Sequence, residues 1–181
     1  MPDSGIIIDE KSNPFQKMNE ESIVYPAESV DWSRIEHFEP AEFDDPKEPG
    51  SWRYMSALTI LELNKIREKA NVPIVTHNKF DIRGCVCVEP TGHSDDSLHY
   101  AKNGCSAVDW HFDTDADPRD QARLVLKSEF TGIGIYYDWK WVDGDGKRIK
   151  LSVGFHTDMR RMPKKPQIWR RVNGKYFYLL K

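Results

Sequence analysis

The sequence predicts an α+β domain in which a small antiparallel sheet carries its helices on one side. Three observations predict it. Apolar residues recur at helical spacing in only two stretches, the other apolar segments are short and strand-like, and hairpin turns with glycine join several of them.

Taken in order, residues 1–30 are polar, hold Pro2, Pro14 and Pro26, and show no sustained period, so they read as an arm on a domain spanning 31–181. Phe38 to Asp44 reads as an aromatic-pinned turn, broken by Asp45-Pro46-Lys47-Glu48-Pro49-Gly50. Met55, Leu58, Ile60 or Leu61, Leu63 and Ile66 among charged neighbours predict a helix over 53–70, with Asn71 and Pro73 as its stop. Short strands follow at 74–76 and 85–88, and Glu89-Pro90-Thr91-Gly92 turns into a polar loop. Residues 106–113 alternate as a strand, and Asp117-Pro118 opens a second helix of roughly ten residues, proline suiting its first turn. Residues 132–139 and 151–158 read as strands joined by the turn Asp143-Gly144-Asp145-Gly146, and a last hairpin turns at Asn173-Gly174. No internal repeat is present.

Length and composition narrow the function classes. At 181 residues, with 39% apolar and 30% charged residues and abundant aromatics, the chain folds as one domain. A net charge of -3 without long single-sign blocks argues against nucleic acid as the main partner. No apolar run approaches the roughly 20 residues that span a bilayer, so membrane insertion is not expected. The start, Met1 to Asp9, lacks the pattern of a secretory signal, so the expected site of synthesis is the cytoplasm. Cys85, Cys87 and Cys105 form an odd set unlike a disulfide framework; they read as reduced, partly buried thiols or as a Cys-x-Cys metal site.

Three residues carry the chemistry. His99 closes the polar loop, Asp109 sits on the next strand, and His156 sits on a later, mostly apolar strand. Two imidazoles and one carboxylate with a fourth position open make a catalytic zinc set, in which a bound water is acidified to about pKa 7. By spacing alone these three read more simply as a chance trio of surface or core residues in a soluble domain.

Their context is a resemblance. Ser97-Leu98-His99-Tyr100, Gly104, Ala107-Val108-Asp109, Gly132-Ile133-Gly134-Ile135-Tyr136, Gly154-Phe155-His156-Thr157-Asp158-Met159-Arg160 and Trp169 resemble, in order, the zinc D-alanyl-D-alanine carboxypeptidase family, and most of all its C-terminal carboxypeptidase-like branch. The resemblance covers roughly 30–178. It implies a Hedgehog-like peptidase fold, zinc held by His99, Asp109 and His156, and peptide stems of peptidoglycan as substrate. Asp158, two positions along the same strand, would share the face of His156 and either support it or approach the metal-bound water.

The departures from the family pattern matter as much. The first histidine and the aspartate are usually seven positions apart, so Tyr100 to Cys105 holds an insertion. No carboxylate or imidazole occupies Ser152, Val153 or Gly154, where the family's general base often lies. Asp158 is the first substitute and Asp138 the second, each equally readable as a surface or turn carboxylate. The family's oxyanion-holding arginine turn is replaced by Thr76 to Asp81. Arg83 is therefore a displaced candidate, or a surface residue paired with an acid. His111 would share the face of Asp109, lining the site or serving as a structural histidine. His77 and His93 are further alternatives, His93 reading most simply as solvated loop and His37 as surface. Trp110, Tyr136, Tyr137, Trp139, Trp141 and Trp169 either flank a cleft or pack the core.

The expectation is a zinc peptidase of carboxypeptidase or endolysin type, phage-encoded and reaching the wall after release or as part of a virion. A non-catalytic virion or wall component retaining the fold is the alternative from another class.

Overall fold

Alternation along Ala107–Phe112 decides how the molecule is built, because one strand supplies both the core and the polar face. The structure, a computed structural model, describes residues 25–89, 93–160 and 166–180. Most of the expected arm and the Pro90-Thr91-Gly92 part of the turn lie outside them. Within the stretch read as arm, Ala27 is fully buried and belongs to the core.

Among the described residues there are eight strands: β1 Ile74–His77, β2 Ala107–Phe112, β3 Gly132–Tyr136, β4 Lys140–Val142, β5 Arg148–Lys150, β6 Gly154–Asp158, β7 Gln167–Val172 and β8 Lys175–Leu180. Six of them form one sheet in the order β1-β2-β6-β3-β7-β8, while β4 and β5 pair separately. The helices are α1 Ala57–Ala70 and α2 Pro118–Val125. Asn71 ends α1 in the left-handed conformation, with φ 52°. Pro118 opens α2, and the Asp117 side chain accepts from Arg119 N. The α1 face that turns inward carries Ile60, Leu63 and Ile66, whereas Leu58 is exposed. The helix begins later than its apolar spacing suggests because Ser51–Tyr54 closes as a separate 3-10 turn.

Three expectations are corrected. The sheet is mixed rather than antiparallel, since β3 and β7 run parallel. Strand β6 occupies one edge of β3, and β7 lies on the other edge, antiparallel to β6 in direction; it is then necessarily parallel to β3. Residues 85–88 form no strand. Cys85 N and Val86 N donate to Asp44 O and Phe43 O, and Cys87 makes one bridge to Tyr100, so their backbone groups are satisfied without a ladder. Finally, the turn at 143–146 closes β4 against β5, not β3 against β6, which nonetheless pair directly.

On one face of the sheet, Val108, Trp110, Phe112, Ile133, Ile135 and Phe155 pack with Ile60, Leu63 and Ile66 of α1 and with Ala122 and Val125 of α2. Both helices therefore cover the same side, as expected. Trp110 is fully buried there, and its indole N–H donates to Thr157 Oγ1 at 2.9 Å. The opposite face carries His77, Asp109, His111, His156, Asp158 and Trp169, interrupted by Gly132 and Gly134. No helix among the described residues is long and apolar enough to cross a membrane.

Candidate metal centre

The register of β2 against β6 sets Asp109 opposite His156, and β3 places Gly134 beside that histidine. Asp109 Oδ1 lies 2.7 Å from His156 Nδ1. His99 approaches from the loop before β2, its Nε2 3.2 Å from His156 Nδ1 and 3.6 Å from Asp109 Oδ1. These donor atoms all lie within 4.8 Å of one another, so His99, Asp109 and His156 form a group that can hold a metal ion. Between His99 and Asp109 the 3-10 turn Ala101–Asn103 and the left-handed Gly104 return the chain to β2.

The far nitrogen of His156 completes the arrangement. Its Nε2 lies 3.1 Å from Asp158 Oδ2, and Asp158 is fully buried. With Nδ1 facing Asp109 and His99, the ring offers one nitrogen to an ion and anchors the other to a carboxylate, the pairing that orients metal-binding imidazoles. Asp158 is itself held by Arg160, through Arg160 Nε at 2.7 Å, a second guanidinium contact to Oδ2, and the Arg160 backbone N at 3.1 Å.

The charge states follow from these contacts. Burial lowers the His99 imidazole to about 4, against the pull of Asp109, so it is neutral near neutral pH. Burial also works against a charged His156, but the Asp109 and Asp158 carboxylates override it and raise the ring to about 9. Burial would raise Asp109, yet the neighbouring histidines hold it down to about 2. Asp158 is held well below the usual carboxylate range: burial opposes ionisation, and Arg160 and His156 outweigh it. His156 is thus an imidazolium near neutral pH, with one N–H toward each carboxylate, and a cation held at Nδ1 would displace the proton facing Asp109.

Glycine makes the close packing of this face feasible. A Cβ at Gly132 would run into the Asp158 carboxylate, and one at Gly134 would lie 2.7 Å from the Trp169 indole. That indole rests against His156, ring centroids 5.5 Å apart, and donates to Tyr136 Oη at 3.1 Å. Gly-x-Gly in β3 is the cradle for two side chains of the site.

The other sequence candidates are placed as follows. Asp138 lies in the turn just after β3, accepting from Arg171 Nε at 2.8 Å and from Gly174 N at 2.6 Å, outside the donor group. Arg83 is exposed and pairs with Glu42 at 3.2 Å, the second of its two readings. Cys85 and Cys105 are buried thiols, both in contact with Met55 Sδ, at 3.4 and 3.3 Å. Trp110 packs the core, whereas Trp169 borders the donor group.

Two histidine relationships are not legible in the chain. His93, read as solvated loop, stacks on His99 with ring centroids 5.2 Å apart and places Nε2 3.5 Å from Cys87 Sγ. His77 and His111 form a buried pair, His77 Nε2 2.6 Å from His111 Nδ1, capped by Trp141. Pairing of β1 with β2 brings them together, a register that spacing along one strand does not reveal.

Compared with protein-family models, with curated proteins and with solved structures, the chain matches none. Its functional reading therefore rests on the site itself and on the resemblance carried by its motifs.

Proposed function

We propose that the chain is a zinc-dependent peptidase of the D-alanyl-D-alanine carboxypeptidase type, hydrolysing amide bonds in the peptide stems of peptidoglycan. The observation that carries this reading is the His99, Asp109 and His156 donor group, with His156 Nε2 anchored 3.1 Å from Asp158. Two imidazoles and a carboxylate suit zinc and leave a fourth position for substrate or water. Zinc bound there supplies a Lewis acid and an acidified water.

The chain's own residues do the rest. Asp109 and the neutral His99 present lone pairs, and Asp158 takes the His156 Nε2 proton as a hydrogen bond, fixing which ring nitrogen faces the ion. Arg160 keeps Asp158 ionised and in place. We assign Asp158 to holding His156, because its oxygens are already engaged by Arg160 and His156. Trp169 and Tyr136 form one wall beside the histidine and exclude water from that side.

A second reading is a metal-binding domain without hydrolysis, a structural component of a virion or cell wall. It is favoured by the saturation of both candidate bases: Asp158 is ion-paired to Arg160 and Asp138 to Arg171.

Elemental analysis of untagged wild type and His156→Ala, followed by incubation with purified peptidoglycan, tests both readings. One zinc per wild-type chain, lost in the variant, with release of new amino and carboxyl termini from the stems, supports the peptidase. Zinc without cleavage supports the second reading. No zinc, even after it is supplied, overturns both.

A further inference from the structure

Charge is sharply segregated along this chain. Eight of its 26 Lys and Arg, and none of its 29 Asp and Glu, fall in residues 159–181, so this segment carries +8 and the remainder -11. Of that segment, β7 and β8 (residues 167–180) form the open edge of the sheet, where β8 pairs with β7 alone. On β8 the large side chains face water: Tyr176 is 53% exposed, Phe177 44%, Tyr178 62% and Leu179 50%. A soluble domain seldom leaves four such neighbours uncovered unless something covers them in use. Arg170 lies over the Phe177 ring at 5.3 Å, and no described carboxylate pairs with Arg170 or Lys175. Arg160 and Arg171, by contrast, are held by Asp158 and Asp138.

We propose that the β7–β8 hairpin is a docking element for an anionic, phosphodiester-linked polymer of the cell wall. This inference rests on the peptidase reading for its choice of partner. The observations favour such a polymer over nucleic acid. Single-stranded nucleic acid needs rings in succession on one platform. Here Tyr176 and Tyr178, opposite Arg171 and Trp169, project from one side of the strand, and Phe177, opposite Arg170, from the other. Rings on both sides of a free edge, with Arg170 and Lys175 on the Phe177 side, fit an edge gripped by a polymer that lies along it, with sugar or polyol carbons on the aromatic faces and phosphates on Arg170 and Lys175. The hairpin is also continuous with the metal centre. Tyr176 contacts Tyr136, Tyr136 accepts from Trp169, and Trp169 rests on His156. A polymer held at β8 therefore keeps the stems tethered to it beside the site.

The test is co-sedimentation of the full chain with wall sacculi that retain or lack their phosphodiester polymer, at low and high salt. The expected result is capture by polymer-bearing sacculi only, weakened at least about tenfold between low and high salt. The triple substitution Lys175→Gln, Phe177→Ser, Tyr178→Ser weakens it by a similar factor while the melting temperature stays within a few degrees of wild type. Salt dependence of the wild type stands as evidence if that variant fails to fold. Capture by stripped sacculi as well, or capture indifferent to salt, overturns the proposal. Equally tight retention of single-stranded RNA overturns it in favour of nucleic acid. Assaying stem hydrolysis beside capture in the wild type separates the two readings: capture by polymer-bearing sacculi without hydrolysis faults only the peptidase, and hydrolysis without polymer-dependent capture faults only the docking element.

Discussion

Asp158 Oδ2 lies 3.1 Å from His156 Nε2, two residues away on the same strand, and is completely shielded from solvent. A buried carboxylate is retained only when its charge is matched. Here His156 matches it on one side and Arg160 on the other. The consequence is an imidazole fixed in orientation before any ion arrives.

Asp158→Asn keeps a hydrogen-bond acceptor beside His156 but removes the charge that Arg160 and His156 share. Zinc affinity is expected to fall roughly 10- to 100-fold, and stability by about 3 kcal/mol because Arg160 loses its partner. Chelator competition and denaturant melts of the metal-free protein check the two separately. Unchanged zinc affinity would show that Asp158 has no part in orienting His156.

Gly134→Ala places a methyl group against the Trp169 indole. The expected cost is about 2 kcal/mol from overpacking, together with a shift in tryptophan emission as the ring leaves His156. Gly144 has nothing within 4 Å of where its Cβ would lie, so Gly144→Ala in the β4–β5 turn is the matched control and melts as wild type does.

The pH dependence of the metal-free protein follows from opposed histidine shifts. His77, His99 and His111 are pushed down to about 3, 4 and 4, by burial first in each case. An imidazole held neutral in the fold leaves stability intact above its unfolded value near 6.5, and that stability is lost as pH falls from there through the folded values. His156, raised to about 9, behaves oppositely: its contribution is complete below about pH 6.5 and lost as pH rises through 9. Thermal melts are therefore expected to peak near pH 6.5, with the steeper fall on the acid side, where these three act together with His93, whose imidazole burial also pushes down. A maximum at pH 9 would contradict the assignment.

Metal loading links to folding through the same residues. Zinc bound by the native chain alone, at a free concentration about 1,000 times its dissociation constant, adds about 4 kcal/mol of stability. Chelator should reverse the gain in wild type and leave the melting of His156→Ala unchanged. An equal zinc effect in that variant would place the ion elsewhere.

Thr157→Val removes the acceptor of the Trp110 indole N–H on the helix-covered face. A buried donor left unpaired costs about 1–3 kcal/mol. The effect is expected in stability alone, with zinc stoichiometry unchanged, because Thr157 points away from the metal centre.

Much of this was written locally. Helical spacing in 53–70 and the Asp117-Pro118 start announced both helices, the first of which begins only at Ala57, because burial on one stripe and capping are decided within a few turns of chain. Alternation likewise put Asp109 and His111 on one face of β2, and His156 and Asp158 on one face of β6. His99, Asp109 and His156 were nameable as a donor set from residue type and motif order. Only the tertiary structure decided that they meet, since convergence depends on β6 entering between β2 and β3 and on a loop returning His99 to that register. The parallel β3–β7 pair, the His77–His111 contact and the stacking of His93 on His99 are of the same kind. Each joins residues far apart or in a loop without period, and periodicity in a single chain says which face a side chain takes but not which strand lies beside it.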